Sequence, residues 1–87
     1  MKLIFSEIGW MDYLYWQTQD RKVLKRINQL LQDVERNGND GIGKPEALRG
    51  NLSGFYSRRI DDANRLIYAL HNNFIEIIQC RGHYRDQ

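Results

Sequence analysis

The chain has 87 residues, of which 28% are charged and 41% hydrophobic, and its formal net charge at pH 7 is +2. This length predicts one domain over residues 1–87, and this composition excludes the low hydrophobicity that is typical of disordered chains. One cysteine, Cys80, excludes an internal disulfide and a four-thiolate metal site, and no apolar run is long enough to span a membrane. A free cysteine without a secretion signal favours the reducing cytoplasm.

The first predicted elements are a short strand over Lys2–Ser6 and a helix that begins after Gly9. Apolar residues alternate between two faces in the strand, whereas the aromatic residues of Trp10–Trp16 recur at helical spacing. An aromatic stripe of this kind is expected in the core or at a partner interface, and burial is the simpler interpretation.

A second helix is predicted from Asp20, its expected N-cap, to Asn37–Gly38, its expected stop. The apolar residues between them recur on one helical face and predict a single buried stripe: Val23, Leu24, Ile27, Leu30, Leu31 and Val34. Because only a few polar residues join the two helices, they are expected to form an antiparallel hairpin.

The segment 38–54 holds five of the seven glycines and the only proline. A long irregular segment inside a small domain is either a plain linker or a functional loop. The charged residues embedded in it favour function: Lys44, Glu46 and Arg49.

From residue 55 onward the pattern predicts three antiparallel strands, over 55–60, 65–70 and 74–80, joined by tight turns. Cys80 falls in the last strand and is expected to be a small core residue. The predicted order is β-α-α-β-β-β, and the predicted fold class is α+β, with a helical hairpin packed on one face of an antiparallel sheet.

The net charge of +2 is unevenly distributed. Residues 1–40 carry six basic and six acidic side chains, whereas residues 41–87 carry seven basic and five acidic ones, and six of those seven are arginine. The planar guanidinium group of arginine suits bidentate binding of phosphate. A scattered, solvated basic surface is the alternative interpretation.

No metal-ligand cluster and no P-loop is apparent in the sequence. What remains is a carboxylate, a histidine and cations: Glu46, His83, Arg59 and Arg65. A metal-free ribonuclease needs a base for the ribose 2′-OH, an acid for the departing 5′-oxygen and cations for the phosphorane. Each of these residues could equally be a solvated surface group, so the residues alone leave both interpretations open.

The chain resembles the YoeB family of type II toxin–antitoxin toxins, which are relatives of the RelE ribonucleases. The resemblance covers almost the full chain, in order and without apparent gaps. The stretches that carry it are Met1–Glu7, Trp10–Gln17, Gly43–Glu46, Asn51–Ile60, Arg65–Tyr68 and His83–Tyr84.

The resemblance implies a RelE-like microbial RNase fold and a ribosome-dependent endoribonuclease that cuts mRNA in the A site without metal or cofactor. It implies that Glu46 is the general base, that His83 is the general acid and that Arg65 stabilises transition-state charge. The expected products are a 2′,3′-cyclic phosphate and a 5′-OH. Residues expected to hold phosphate or position the mRNA are Lys44, Arg49, Arg59 and Tyr84.

The partners that the resemblance implies are a YefM-like antitoxin, the 70S ribosome and its mRNA. The antitoxin is expected to fold an acidic segment over the toxin and to carry the complex to its own operator. A homodimer is a further candidate, with Trp10–Trp16 as a dimer or ribosome contact; no membrane is expected. Two alternative functions are compatible with the same fold: a gyrase poison, and a non-catalytic RNA- or ribosome-binding module.

Three departures from the family pattern stand out. Arg49 occupies a position where lysine is more usual, and Ala63-Asn64 stands where relatives often have Glu-His. Arg85–Gln87 extends past the usual terminal tyrosine. A cation is kept at position 49, so phosphate binding is expected to be retained. Ala63-Asn64 leaves the surroundings of the bound base open, and the three added residues are expected to have modest effects.

Overall fold

The elements of the fold follow the predicted order closely. The structure is a computed structural model, and it describes residues 1–83. In chain order the elements are β1 (Lys2–Phe5), α1 (Glu7–Gln19), α2 (Arg21–Asn37), β2 (Glu46–Ala47), a 3₁₀ turn (Gly50–Leu52), β3 (Phe55–Arg59), β4 (Arg65–Leu70) and β5 (Phe74–Gln79). The predicted α+β class, with two helices packed on a sheet, is confirmed.

The sheet has five strands in the order β1-β5-β4-β3-β2. The antiparallel meander of β3, β4 and β5 is confirmed. Two details differ from the expectation. β1 pairs with β5 in parallel, so the sheet is mixed, and Glu46 lies in the short strand β2, which pairs with β3, rather than in a loop. Alternation of apolar residues predicts a strand but does not predict which strand will be its neighbour.

Helix α2 is specified by its own sequence. The carboxylate of Asp20 accepts the backbone N–H groups of Lys22 and Val23 at 3.0 and 3.3 Å, as expected of an N-cap. Gly38, with φ 63°, ends the helix by donating its N–H to the carbonyl of Val34 at 2.8 Å. The predicted stripe packs against β4 and β5 through Ile27, Leu30, Leu31 and Val34. Within residues 1–83, no helix is long and apolar enough to cross a membrane.

Helix α1 presents a different face to the core than its aromatic residues suggest. Gly9 lies inside the helix rather than before it, and a Cβ at this position would lie 2.5 Å from the carbonyl oxygen of Ile77. This close approach brings Gly9, Asp12 and Trp16 against the sheet. Trp10 is therefore 47% exposed and rests edge-on against Phe5, so the expected burial of the whole aromatic stripe is wrong.

We expect Gly9→Ala to destabilise the protein, although alanine normally stabilises a helix interior by about 1 kcal/mol relative to glycine. The added methyl group would meet a backbone carbonyl that cannot move without disturbing β5, and overpacking of this kind costs about 1 to 3 kcal/mol. Urea unfolding measures the change. Met11→Ala, at an exposed position of the same helix, is the control and should shift stability by less than about 0.5 kcal/mol. A more stable Gly9→Ala variant would contradict the close approach.

Arg58 is the largest fully buried side chain, although it belongs to the arginine-rich half of the sequence. Its guanidinium group pairs with the carboxylate of Asp33 on α2 and donates to the carbonyl oxygens of Gly38, Asp40 and Ile42 at 2.7, 2.6 and 3.0 Å. Its Nε donates to the Tyr68 hydroxyl at 3.0 Å. Arg58 of β3 therefore holds the glycine-rich segment after α2 against the helix-facing side of the sheet.

Asp33 makes the stability of the fold depend on pH. The hydrogen bond from Arg58 is the main reason that the pKa of Asp33 lies below its ordinary value of 3.8, and the N–H of Ile42 adds to this effect. Since the folded pKa is lowered, the stabilisation is present above the unfolded pKa and is lost as pH falls through the folded pKa. We expect the free energy of unfolding to fall below about pH 4 and this dependence to be weaker in Asp33→Asn. Urea titrations between pH 2.5 and 6 would show it; parallel curves for the two proteins would contradict it.

Candidate functional site

The predicted site residues of β2, β3 and β4 share the face of the sheet that is turned away from the helices. Leu66 and Tyr68 of β4 pack in the core with α2, so Arg65 and Ile67 must point to the opposite face. Residues paired directly across antiparallel strands share a face. Through the pairs Glu46–Ser57, Ser57–Ile67 and Arg59–Arg65, this rule places Glu46, Arg59 and Arg65 on one surface.

Glu46 is exposed and is held at the edge of this surface by the short β2–β3 pairing. The preceding residues are fixed as well, because the backbone N–H of Arg59 donates to the carbonyl of Gly43 at 2.7 Å. Lys44, also exposed, has a φ of 50°, which turns the chain from this bond into β2. The segment that carries Lys44 and Glu46 is therefore docked on the end of β3.

Arg59 and Arg65 are direct cross-strand partners at the β3–β4 turn. The guanidinium group of Arg59 forms an ion pair with Asp62, whose side chain is 89% exposed. The guanidinium group of Arg65 donates to the backbone carbonyls of Asp61 and Asn64, at 2.5 and 3.1 Å. Two like charges side by side are unfavourable without an anion. This pair therefore makes the face that carries Glu46, Arg59 and Arg65, called the open face below, a favourable place for a phosphate.

His83 follows β5 and reaches the same region. The backbone N–H of Arg65 donates to the carbonyl of Gly82 at 2.9 Å, so the residue before His83 lies directly beside the start of β4. The side chain of His83 is exposed. The arrangement places a carboxylate and two guanidinium groups on one face of the sheet, with the backbone before His83 beside Arg65. A metal-free phosphodiester cleavage needs a base, an acid and cations, and these residues include the types that can supply them.

The remaining predicted positions, and two buried residues that were not predicted, complete the description of the site. Arg49 is exposed at the start of the 3₁₀ turn, whereas Tyr84 and the Arg85–Gln87 extension lie outside the described residues. Sequence reasoning missed the buried side chains that support the site, above all Arg58 and Gln79. A charged or amide residue inside a strand pattern gives no sign of its hydrogen-bond partners, so no signal in the sequence could have found them.

Other parts of the described chain offer no comparable chemistry. Among residues 1–83, no group of three or more histidine, cysteine, aspartate or glutamate side chains could hold a metal ion. A groove between α1 and α2 is lined by cationic and amide side chains, among them Gln17, Arg21, Lys25 and Gln29, and it contains no carboxylate. It lies on the helical side, away from the open face of the sheet.

Comparison with known proteins decides the family. The model of the YoeB-like toxin of bacterial type II toxin–antitoxin systems matches residues 5–84. The chain belongs to this family. Its curated relatives include Toxin YoeB of Escherichia coli K12, which is 52% identical over 84 residues, covering 97% of this chain and 100% of that protein.

Solved structures agree with this assignment for the YoeB-like toxin. A YoeB dimer from Staphylococcus aureus matches with a TM-score of 0.90 and 47% identity, covering 97% of this chain and 98% of that one. A YoeB–YefM complex from the same organism matches with a TM-score of 0.89 and 46% identity over the same shares of the two chains. The chain is therefore a toxin of the type II toxin–antitoxin class with the fold expected from its sequence.

Proposed function

We propose that this YoeB-like toxin is a ribosome-dependent, metal-independent endoribonuclease that cuts mRNA in the ribosomal A site and so inhibits translation. The observation that supports this most is the shared open face of Glu46, Arg59 and Arg65, with the chain before His83 bonded to Arg65. Toxins of this family are generally ribonucleases.

In the proposed reaction Glu46 takes the proton from a ribose 2′-OH, and the 2′-oxygen forms a bond to the adjacent phosphorus. The bond between phosphorus and the 5′-oxygen breaks, and His83 donates a proton to that leaving oxygen. The products are a 2′,3′-cyclic phosphate and a 5′-OH end. Arg65 stabilises the negative charge that develops on the phosphoryl oxygens.

Binding of the mRNA backbone is assigned to cations at the rim of the same surface. Arg59 is available to a phosphate because its ion pair with Asp62 is solvent-exposed, and pairs of this kind contribute less than about 1 kcal/mol. Lys44 and Arg49 are exposed and add positive charge beside Glu46. Tyr84 is proposed to position the mRNA by family pattern.

A YefM-like antitoxin is the proposed protein partner, by analogy with the YoeB–YefM complex of S. aureus. Its acidic segment would cover the cationic open face, inhibit the toxin and bring the complex to its operator. The 70S ribosome is the proposed site of action. A homodimer is proposed from the S. aureus YoeB dimer, and sedimentation of the purified toxin across a concentration range tests it.

The deciding experiment is primer extension on a defined mRNA, with ribosomes paused at a known codon and with the same mRNA naked. We expect cuts only at the codon in the A site, and we expect the downstream fragments to carry a 5′-OH. Cuts confined to naked RNA, or fragments with a 5′-phosphate, would contradict the proposal.

A parallel assay of DNA cleavage by gyrase distinguishes the proposed nuclease from the main alternative, a gyrase poison. A gyrase poison should trap cleaved DNA and leave ribosome-bound mRNA intact. A non-catalytic binding module should block translation without producing any fragment. Either result would replace the nuclease proposal with that alternative.

A further inference from the structure

Strand β5 contains an irregularity immediately before the site. Ile77 pairs with Tyr68 of β4, but the next pair joins Gln79 with Ile67, so Ile78 is an extra residue. A bulge of this kind changes which face the following side chains occupy. Without it, Gln79 would alternate with Ile75 and Ile77 and point towards the helices.

The bulge separates Gln79 and Cys80 onto opposite faces. Gln79 is the cross-strand partner of Ile67 and therefore lies on the open-face side, although it is completely buried. Cys80 belongs to the core cluster on the helix side. The end of β5 is thus fixed in the core by one residue while the residue before it supports the site.

Helix α1 holds the end of β5 in place. The side chain of Asp12 accepts the backbone N–H of Cys80 at 3.1 Å, and the indole Nε1 of Trp16 donates to the carbonyl of Cys80 at 2.9 Å. Both side chains are buried. The backbone of Cys80, from which segment 81–83 continues, is therefore held in place by α1.

The amide of Gln79 reaches across the segment 81–83. Its Nε2 donates to the carbonyl oxygen of His83 at 2.7 Å and to that of Arg81 at 3.3 Å. These two bonds fold the chain back over the bulge. They constrain the backbone of the residue that carries the imidazole, while the imidazole itself stays exposed.

Asn64 holds the same segment from the side of β4. Its Oδ1 accepts the backbone N–H of Gly82 at 2.8 Å, while its Nδ2 donates to the carboxylate of Asp61 at 2.9 Å. The bond from Arg65 N–H to the Gly82 carbonyl completes the contact. The segment 81–83 is therefore held by two groups of hydrogen bonds. Asn64 and Arg65 bind Gly82 from β4, and Gln79 binds Arg81 and His83 from β5.

We propose that Gln79 is a positioning residue for His83: by donating its amide N–H groups to the carbonyls of Arg81 and His83, it holds segment 81–83 so that the backbone of His83 stays next to the start of β4. The role in catalysis rests on the proposed function, in which His83 is the general acid. Displacement of a catalytic group by about 1 Å can lower a rate by about a hundredfold, so one hydrogen bond to the backbone of His83 and one to that of Arg81 are sufficient to matter.

The test is Gln79→Met, which keeps the volume of the buried side chain and removes both donated hydrogen bonds. On ribosome-bound mRNA we expect the maximal cleavage rate to fall by about 10- to 100-fold while the ribosome concentration that gives half-maximal cleavage stays within about twofold. Asn28→Ala is the control, because it removes the hydrogen bond that the Tyr13 hydroxyl donates to Asn28 between the helices and should leave the rate unchanged. All variants are compared well below their unfolding temperatures.

A second measurement needs no ribosome. Hydrogen exchange of the Gly82 amide, followed by NMR in the free toxin, reports on the segment directly, and we expect it to be about tenfold faster in Gln79→Met and unchanged in Asn28→Ala. If Gln79→Met does not fold, Gln79→Leu is tested by the same two criteria, because it removes the same amide donor.

The outcomes are distinguishable. A folded variant with an unchanged cleavage rate and unchanged Gly82 exchange would overturn the proposal, as would a loss of rate equal to that of Asn28→Ala. If His83→Gln cleaves as fast as the unaltered toxin, the proposed role of His83 fails. In that case faster Gly82 exchange in Gln79→Met would still support the structural part of the inference.

Discussion

Replacement of Arg58 by methionine is expected to lower the free energy of unfolding by about 3 to 5 kcal/mol, as is typical when one partner of a buried ion pair is removed. Asp33 would lose its charged partner, and the backbone carbonyls of Gly38, Asp40 and Ile42 would lose their donor. Small domains have a total stability of roughly 5 to 15 kcal/mol, so this single change should remove a large part of it.

Arg58→Lys should recover little of this stability. An ammonium group has three donors at one point, whereas the guanidinium group of Arg58 spreads its donors over Asp33, three carbonyls and the Tyr68 hydroxyl. Because these carbonyls belong to the segment that leads to Lys44 and Glu46, we expect Arg58→Lys to lower cleavage activity as well. Denaturation in guanidinium chloride and primer extension on the same preparations measure the two effects.

The control for Arg58 is Arg21→Met, which removes an exposed arginine from the first turn of α2. It should change the free energy of unfolding by less than about 0.5 kcal/mol. Equal midpoints for Arg58→Met and Arg21→Met would show that the buried guanidinium group does not hold the fold together.

Substitution of either proposed proton-transfer residue is expected to have the largest effect on activity. His83→Gln and Glu46→Gln should each lower the cleavage rate on ribosome-bound mRNA by about 100- to 10,000-fold, the usual contribution of a general acid or base. Glutamine keeps the approximate size of both side chains but cannot donate a proton to the 5′-oxygen or accept one from the 2′-OH. Fragment yields from quenched time courses give the rates.

Stability separates a catalytic role from a structural one at these two positions. Both side chains are exposed, so we expect the two variants to unfold within about 0.5 kcal/mol of the unaltered protein. Matched controls are His71→Gln, at the opposite end of β4, and Glu35→Gln on α2, both exposed and both expected to cleave normally. If His83→Gln and His71→Gln cleave equally fast, His83 is not the acid.

The roles of the site residues stay a prediction that rests on the family resemblance, because the residue types alone allow a catalytic and a surface role. Glu46 and His83 are conspicuous in a chain with two histidines and a single glycine-rich segment. The buried side chains that hold these residues in place could not be predicted in the same way. Arg58 and Arg59 are adjacent arginines in the sequence, yet alternation in β3 buries one beneath the sheet and leaves the other on the open face.

The bulge in β5 is another feature that the sequence pattern did not predict. Period-two alternation would assign Gln79 to the core side with Ile77 and Cys80 to the other side, but the pairing with β4 reverses this assignment. On the core side Cys80 contacts Asp12 and Trp16 of α1, which lie more than sixty positions away in the chain. A strand read from its own sequence contains no information on them.

The sequence by itself determined the elements whose signals act over a few residues: the capped helix from Asp20 to Gly38, the three strands of the meander and their turns. Only the tertiary structure decided the parallel pairing of β1 with β5, the close approach at Gly9 and the burial of Arg58. These features depend on contacts between distant residues, such as the bond from the Ser6 hydroxyl to the Ile78 carbonyl, 72 positions away. Caps, turn residues and periodicity act locally and predict such elements, whereas burial and strand pairing are decided by contacts between distant parts of the chain.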